Sequence, residues 1–208
     1  MLILAFETSA KAASVALVEN GKLLGESYQN TGMTHSQTLM VMAEDLLKQC
    51  GKTVSDVTAV AVAEGPGSFT GVRIGTAAVK GFAWAQDKPC AGVSSLFAMA
   101  CDYTGDGVLC CSLKARPGES FYAFFRQENG VVTRLSDDTV GKDEEMEAAA
   151  AAFGATVSLR DCQNAVGAAK AAWLQAQSGN LQTCHEILPA YLRLSQAERL
   201  RKERMEQQ

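Results

Sequence analysis

The first third of the chain reads as short apolar runs separated by turn residues, the pattern of strands rather than helices. Leu2 to Glu7 forms one such run, and Ser14 to Val18 and Leu23 to Tyr28 follow, joined through Glu19-Asn20-Gly21-Lys22. Asn-Gly between two β-like runs predicts a tight hairpin, because both turn residues must take positive φ. The period then changes. Thr34 with Gln37 three residues on predicts a capping box, and the helix behind it should run to about Cys50 and stop at Gly51. On that helix Leu39, Met42, Ala43, Leu46 and Cys50 make a core stripe opposite Glu44, Asp45 and Lys48, while Met40 and Leu47 widen the apolar flank. Val57 to Ala63 reads as a strand and Thr76 to Gln86 as a helix, with the glycine-rich stretch between them. Pro89 to Val93 is a further strand, and Ser94 or Ser95 caps a short helix through Cys101.

Gly105-Asp106-Gly107 is the best hinge, and beyond it the pattern restarts. Strands are expected at Val108 to Leu113, Ser120 to Arg126 and Val131 to Leu135, with a second Asn-Gly turn at Asn129-Gly130. An alanine-rich helix (143–153), a strand (156–159) and another helix (164–176) follow. The βββα opening of the first half is echoed in the second, which predicts a duplicated α/β architecture with a cleft between two lobes, residues 1–104 and 105–208. The final stretch, about 190–208, leads into a charged helix expected to pack back on the first lobe.

Composition narrows the function classes. The chain has 208 residues, 47% apolar and 20% charged, with a net charge of −4, so nothing global marks a nucleic-acid binder and any such contact must be local. Met1 to Glu7 has no basic flank and meets an acid too early for a signal peptide, and no apolar run approaches the roughly 20 residues of a membrane span. A cytoplasmic protein is expected. The seven cysteines show no paired zinc spacing and there are two histidines, His35 and His185, so neither a disulfide framework nor a Cys/His metal site is expected.

The candidate chemistry lies in Glu64-Gly65-Pro66-Gly67-Ser68-Phe69-Thr70-Gly71-Val72-Arg73-Ile74-Gly75. A P-loop would close on Lys-Ser/Thr, whereas Val72-Arg73 follows Gly71; Gly51-Lys52-Thr53 has Leu46 where the upstream glycine belongs. A dinucleotide fingerprint would need glycine at Thr70, and no Gly-x-Ser-x-Gly elbow is present. Motif logic alone reads the stretch as a turn feeding a close-packed helix, with Gly67, Gly71 and Gly75 on one smooth face.

Taken together, Ile3-Leu4-Ala5-Phe6-Glu7-Thr8-Ser9, His35-Ser36, the Gly65–Gly75 block, Gly92-Val93-Ser94-Ser95-Leu96 and Pro189-Ala190-Tyr191-Leu192-Arg193 resemble the bacterial TsaB (YeaZ) family in order and spacing. The resemblance spans most of the chain and is weakest over residues 136–185. It implies the two-lobed fold of the actin-like ATPase and sugar-kinase superfamily, two βββαβαβα units with the second reduced. It also implies a non-catalytic subunit that supports the paralogue TsaD, with the ATPase TsaE, in adding a threonylcarbamoyl group to the adenosine beside the anticodon of tRNAs reading codons that begin with A.

Site expectations follow from the resemblance. In the paralogue a His-x-x-x-His pair holds the active-site metal, and the matching positions here are Ser95 and Met99, poor ligands for such an ion. Glu7, Thr8 and Ser9 stand where phosphate-binding kin carry Asp and glycine, so they are weak nucleotide candidates; ATP and metal are expected in the partner subunits. The family's Asp-Ala-Arg-x-Gly-Glu appears as Lys114-Ala115-Arg116-Pro117-Gly118-Glu119, with lysine in place of the carboxylate. A partner surface is expected on the first two helices at His35, Leu39, Met40, Leu47, Gly67, Phe69, Gly71, Val72, Arg73 and Gly75, serving TsaD or, when the chain is alone, a second copy. Arg199, Arg201, Lys202 and Arg204 are candidate tRNA contacts. The alternative class is a stand-alone enzyme of the same superfamily, either a small ATP-dependent phosphotransferase or a glycoprotease-like metalloenzyme.

Overall fold

Two parallel strands sit at the heart of the molecule because their sequences are apolar up to a glutamate near each C-terminal end, Glu7 and Glu64. A computed structural model describes residues 1–159, 165–193 and 205 of the chain. β1 (Leu2–Glu7) is buried throughout and pairs in parallel with β4 (Ala59–Gly65), whose Val60 and Val62 face one side while Ala59 and Ala61 face the other. β2 (Ala13–Glu19) and β3 (Lys22–Gln29) complete an antiparallel hairpin, and β5 (Cys90–Ser94) adds the far parallel edge, giving the order β3-β2-β1-β4-β5. The hairpin turns as the sequence requires: Asn20 and Gly21 have φ of 50° and 80°.

Helices α1 (His35–Gln49) and α2 (Phe69–Gln86) cover the face carrying Leu2, Leu4 and Phe6. α3 (Ser95–Asp102) and α5 (Ala165–Gln177) cover the face carrying Ile3 and Ala5. α5 follows the second sheet in the chain yet packs on the first through Ala165, Ala168, Ala169 and Ala172. The division at residue 104 is corrected accordingly, since small side chains let α5 cross back and lie flat on β1 and β2.

The second sheet is built from β6 (Gly107–Arg116), β7 (Glu119–Glu128), β8 (Val131–Arg134) and β10 (Thr156–Leu159), ordered β10-β6-β7-β8, with α4 (Asp143–Phe153) on one face. Its antiparallel trio followed by a parallel strand beside β6 repeats the first lobe's order, and Asn129 and Gly130 repeat its turn, with φ of 51° and 79°. The duplicated α/β fold with a reduced second lobe is therefore present. β9 (Thr139–Lys142), which pairs with β7, is an addition without a sequence signal.

Two local expectations change. Thr34 is the N-cap of α1, but its side chain makes no capping bond, so the capping box does not form; Gln37 N–H donates to the Thr34 carbonyl instead. α2 begins at Phe69, two residues after Gly67 and ahead of the helical run read from Thr76, because Ser68 Oγ accepts from Gly71 N–H and caps the helix there. The charged tail at Arg199, Arg201, Lys202 and Arg204 lies outside the described residues. No helix among the described residues is long and apolar enough to cross a membrane.

Candidate functional site: the glycine loop and the cleft between the lobes

The C-terminal ends of β1, β4 and β5 converge where an open α/β sheet ordinarily accepts a ligand. Here the chain fills that place itself. A Cβ on Gly67 would collide with Ser9, and one on Gly71 with the Thr8 carbonyl. The same glycines let Ser68 N–H donate to Ser9 O at 2.6 Å and Thr8 Oγ1 donate to Gly71 O at 2.8 Å. A Cβ on Gly75 would meet Thr8 Oγ1 and, at 3.1 Å, Val62. The smooth helical face read from the sequence therefore exists, but it receives the chain's own β1–β2 turn.

That assignment corrects half of the expected partner surface. Leu39, Leu47, Gly71, Val72 and Gly75 are buried, committed to the core beneath α1 and α2. Gly67 and Phe69 are partly covered, and His35 is half-buried with Nε2 3.1 Å from Ala10 O. Met40 and Arg73 are exposed. Phe69 stacks on Tyr191 at 4.4 Å, Arg73 lies 4.0 Å over the Phe69 ring, and Arg73 Nε donates to Tyr191 Oη at 2.6 Å. This fastens the segment 187–193 across the entrance of α2, and Ala190 N–H donating to Glu64 O at 2.7 Å holds it to β4. The sequence marked Tyr191 as part of a family pattern without indicating this stack.

The outer faces of α1 and α2 carry what the sequence reading missed. Val41 and Trp84 stand 56% and 73% exposed, and Ala77 and Gly81 leave a shallow strip beside Trp84 on the outward arc of α2. The spacing 77, 81, 84 was available as a signal, but the glycines at 67, 71 and 75 overshadowed it.

Glu7, Thr8 and Ser9 are all buried. Ser9 N–H donates to Glu7 Oε1 at 2.6 Å, while Glu7 Oε2 has no hydrogen-bond partner. Removal from water raises the Glu7 carboxyl to about 7, against the hydrogen bonds from Ser9 and Thr8, which lower it. A carboxyl so enclosed, with its flanking residues bonded to the glycine loop, gives a nucleotide phosphate neither space nor open donors; these residues do not fit that group. Ser95 and Met99 do not fit a metal either. Ser95 sits fully buried in the first turn of α3, and Met99 packs among Leu109, Leu113 and Phe121 in the core of the second lobe.

In front of this closed turn lies a cleft of about 1500 Å³ between the lobes. One wall carries Lys11, His35 and the α2 entrance; the other carries Lys114, Arg116 and Phe121, with Tyr191 and Arg193 across the end. Lys114 pairs with Asp143 at 2.7 Å, and Arg116 pairs with Glu119, whose other oxygen is 3.9 Å from Arg193. The lysine standing in for the family's aspartate is thus balanced by the carboxylate of Asp143, the first residue of α4.

The family model described as "TsaD: tRNA N6-adenosine threonylcarbamoyltransferase" matches residues 27–170. The chain is 37% identical over 148 residues to "tRNA threonylcarbamoyladenosine biosynthesis protein TsaB" of Escherichia coli K12, covering 69% of this chain and 64% of the relative. It is 33% identical over 139 residues to the protein of the same description from Bacillus subtilis 168, covering 66% and 61%. It therefore spans less than two thirds of the length of these two relatives. Among solved structures, "YeaZ from Pseudomonas aeruginosa" superposes with a TM-score of 0.79 at 26% identity, over 92% of this chain and 99% of that one. The activator of 2-hydroxyisocaproyl-CoA dehydratase from Clostridium difficile, with bound ADPNP, shares the fold alone, with a TM-score of 0.50 and 10% identity over 86% and 97%.

Proposed function

The chain belongs to the family of the threonylcarbamoyltransferase model, on its TsaB (YeaZ) side, and from that premise we propose that it is a non-catalytic subunit of tRNA threonylcarbamoyladenosine synthesis. It supports a TsaD-type transferase that works with a TsaE-type ATPase, and the nucleotide and metal of the reaction belong to those partners. The observation that carries this reading is the closed glycine loop. Backbone that would otherwise approach a ligand is bonded to Thr8 and Ser9, and a buried Glu7 lies behind it.

Docking in this reading uses the exposed positions of α1 and α2, Met40 and Val41 on the first and Ala77, Gly81 and Trp84 on the second. An exposed tryptophan next to small residues is the anchor-and-groove arrangement from which protein interfaces draw most of their energy. The same positions serve a second copy when the transferase is absent. The stand-alone phosphotransferase or metalloenzyme reading has no fitting cradle or ligand pair among the described residues to favour it.

The test is reconstitution of tRNA modification from purified TsaD and TsaE, supplied with tRNA, ATP and an activated threonylcarbamoyl donor, with and without the full chain. Threonylcarbamoyladenosine is expected to accumulate at least tenfold faster with it. Equal rates, with the chain folded, would overturn the reading.

A further inference from the structure

We propose that the cleft between the lobes is an RNA-backbone site, a groove in which Lys11, Lys114, Arg116 and Arg193 meet phosphodiester groups of the tRNA undergoing modification. This rests on the function proposed above and adds the surface through which this subunit touches the substrate.

Charge placement is the first argument. The whole chain carries a net charge of −4, yet the cleft lining contains these four cations and no Asp or Glu. Asp143 and Glu119 pair with three of these cations but are not themselves part of the lining. Glu119 is shared between Arg116 and Arg193, and Lys11 makes no ion pair among the described residues. The wall therefore presents surplus positive charge, and each guanidinium keeps N–H groups for a second acceptor.

Shape and chemistry then select the anion. A nucleoside polyphosphate would need a nest of amides, and the Ser68 and Gly71 amides at the α2 entrance are engaged with Ser9 and with the Ser68 hydroxyl. The cations are instead spread along the groove, from the β1–β2 turn across to the end of β6 and the 190–193 segment, as a repeating charge requires. The volume of about 1500 Å³ exceeds what one small ligand fills. Tyr191, 42% exposed, lines the same groove and offers an aromatic surface to a base beside the basic track, a combination suited to a nucleic-acid strand rather than an acidic peptide.

The experiment uses the full chain and a fluorescein-labelled, unmodified tRNA anticodon stem-loop, followed by anisotropy across a salt series. The proposal expects saturable, salt-dependent binding. The double variant Lys11→Gln with Arg116→Gln should bind at least tenfold more weakly and lose about 1.4 from the log–log salt slope, near 0.7 per lost phosphate contact. Arg126→Gln, an exposed arginine outside the groove, should bind like the parent, and Arg116→Lys should recover most of the affinity in place of Arg116→Gln. Circular dichroism melts establish that each variant is folded; if the double variant melts early, Lys11→Gln alone is read for a slope loss of about 0.7.

Binding unchanged in the folded variants overturns the proposal, as does absence of saturable binding to about 100 µM, where non-specific association lies. So does loss of binding on truncation after Ser195 with the groove variants unaffected, which places the contact in the tail. Displacement by poly-glutamate as effective as by unlabelled RNA would assign the groove to an acidic peptide, and displacement by ATP to a nucleotide; either outcome overturns it too. The reconstituted modification assay separates the two readings. If modification does not depend on the chain, the proposed function falls; if it depends fully on the chain while the groove variants bind RNA normally, only this inference falls.

Discussion

Replacing Glu7 with glutamine should make the protein more stable at neutral pH, and the gain should vanish in mild acid. Glu7 is fully buried on β1, one carboxyl oxygen takes the Ser9 N–H, and the other has no partner. Burial lifts its titration from 4.5 to about 7 in the folded chain. A carboxylic acid that holds its proton more tightly when folded favours folding below its unfolded value. That contribution is full below about pH 4.5 and is lost as pH rises through 7. The difference between the two values, at about 1.36 kcal/mol for each pH step, amounts to about 3 kcal/mol. For a chain of this length that corresponds to roughly 6–12 °C in melting temperature.

Urea unfolding of the parent and of Glu7→Gln from pH 4.5 to 8.5 reads the effect directly. Glutamine cannot ionise, so the stability difference between the two proteins should widen by about 3 kcal/mol in favour of the variant as pH rises to 7.5. The carboxyl of Glu64, also raised by burial, titrates in both proteins and cancels in the comparison. A constant offset over the whole range would show that Glu7 titrates alike in the folded and unfolded chain, and the account of the closed turn would be wrong.

The other predictions concern the two faces of α2 and the strap laid across it. Gly71→Ala forces a methyl into the Thr8 carbonyl and breaks the Thr8 hydroxyl bond, so urea unfolding should register a loss of about 2–4 kcal/mol. Gly81→Ala points into open space and should gain about 0.5–1 kcal/mol in the same measurement, because alanine favours the helix. Trp84→Ala should weaken co-purification with TsaD roughly 30-fold, the loss of about 2 kcal/mol at an interface anchor, while its melting temperature moves by less than about 2 °C. Tyr191→Ala removes the Phe69 stack and the Arg73 bond, so the Ala190 amide should exchange with deuterium about tenfold faster, equivalent to about 1.4 kcal/mol, with β1 amides unchanged.

The parts of this fold that were legible in the sequence are those fixed by neighbours along the chain. Asn20-Gly21 and Asn129-Gly130 specify their turns because positive φ is a local demand, and β1 and β4 declare double-sided burial by unbroken apolar runs. What depends on distant neighbours was not legible. Lys11, Lys114, Arg116 and Arg193 share one groove only because β6 and the 190–193 segment are brought to the β1–β2 turn, and no spacing along the chain announces that meeting. The glycines at 67, 71 and 75 show the limit most clearly. Their recurrence reports that backbone comes close, but it cannot say whose backbone. Thr8 and Ser9 answer the question, being the groups that collide with any added Cβ. Because that inner face is spent on the chain's own turn, a partner docking on α2 must meet the opposite arc. There Trp84 stands 73% exposed beside Gly81, and a helix whose two faces are divided in this way can change its partner surface without touching the closed turn beneath it.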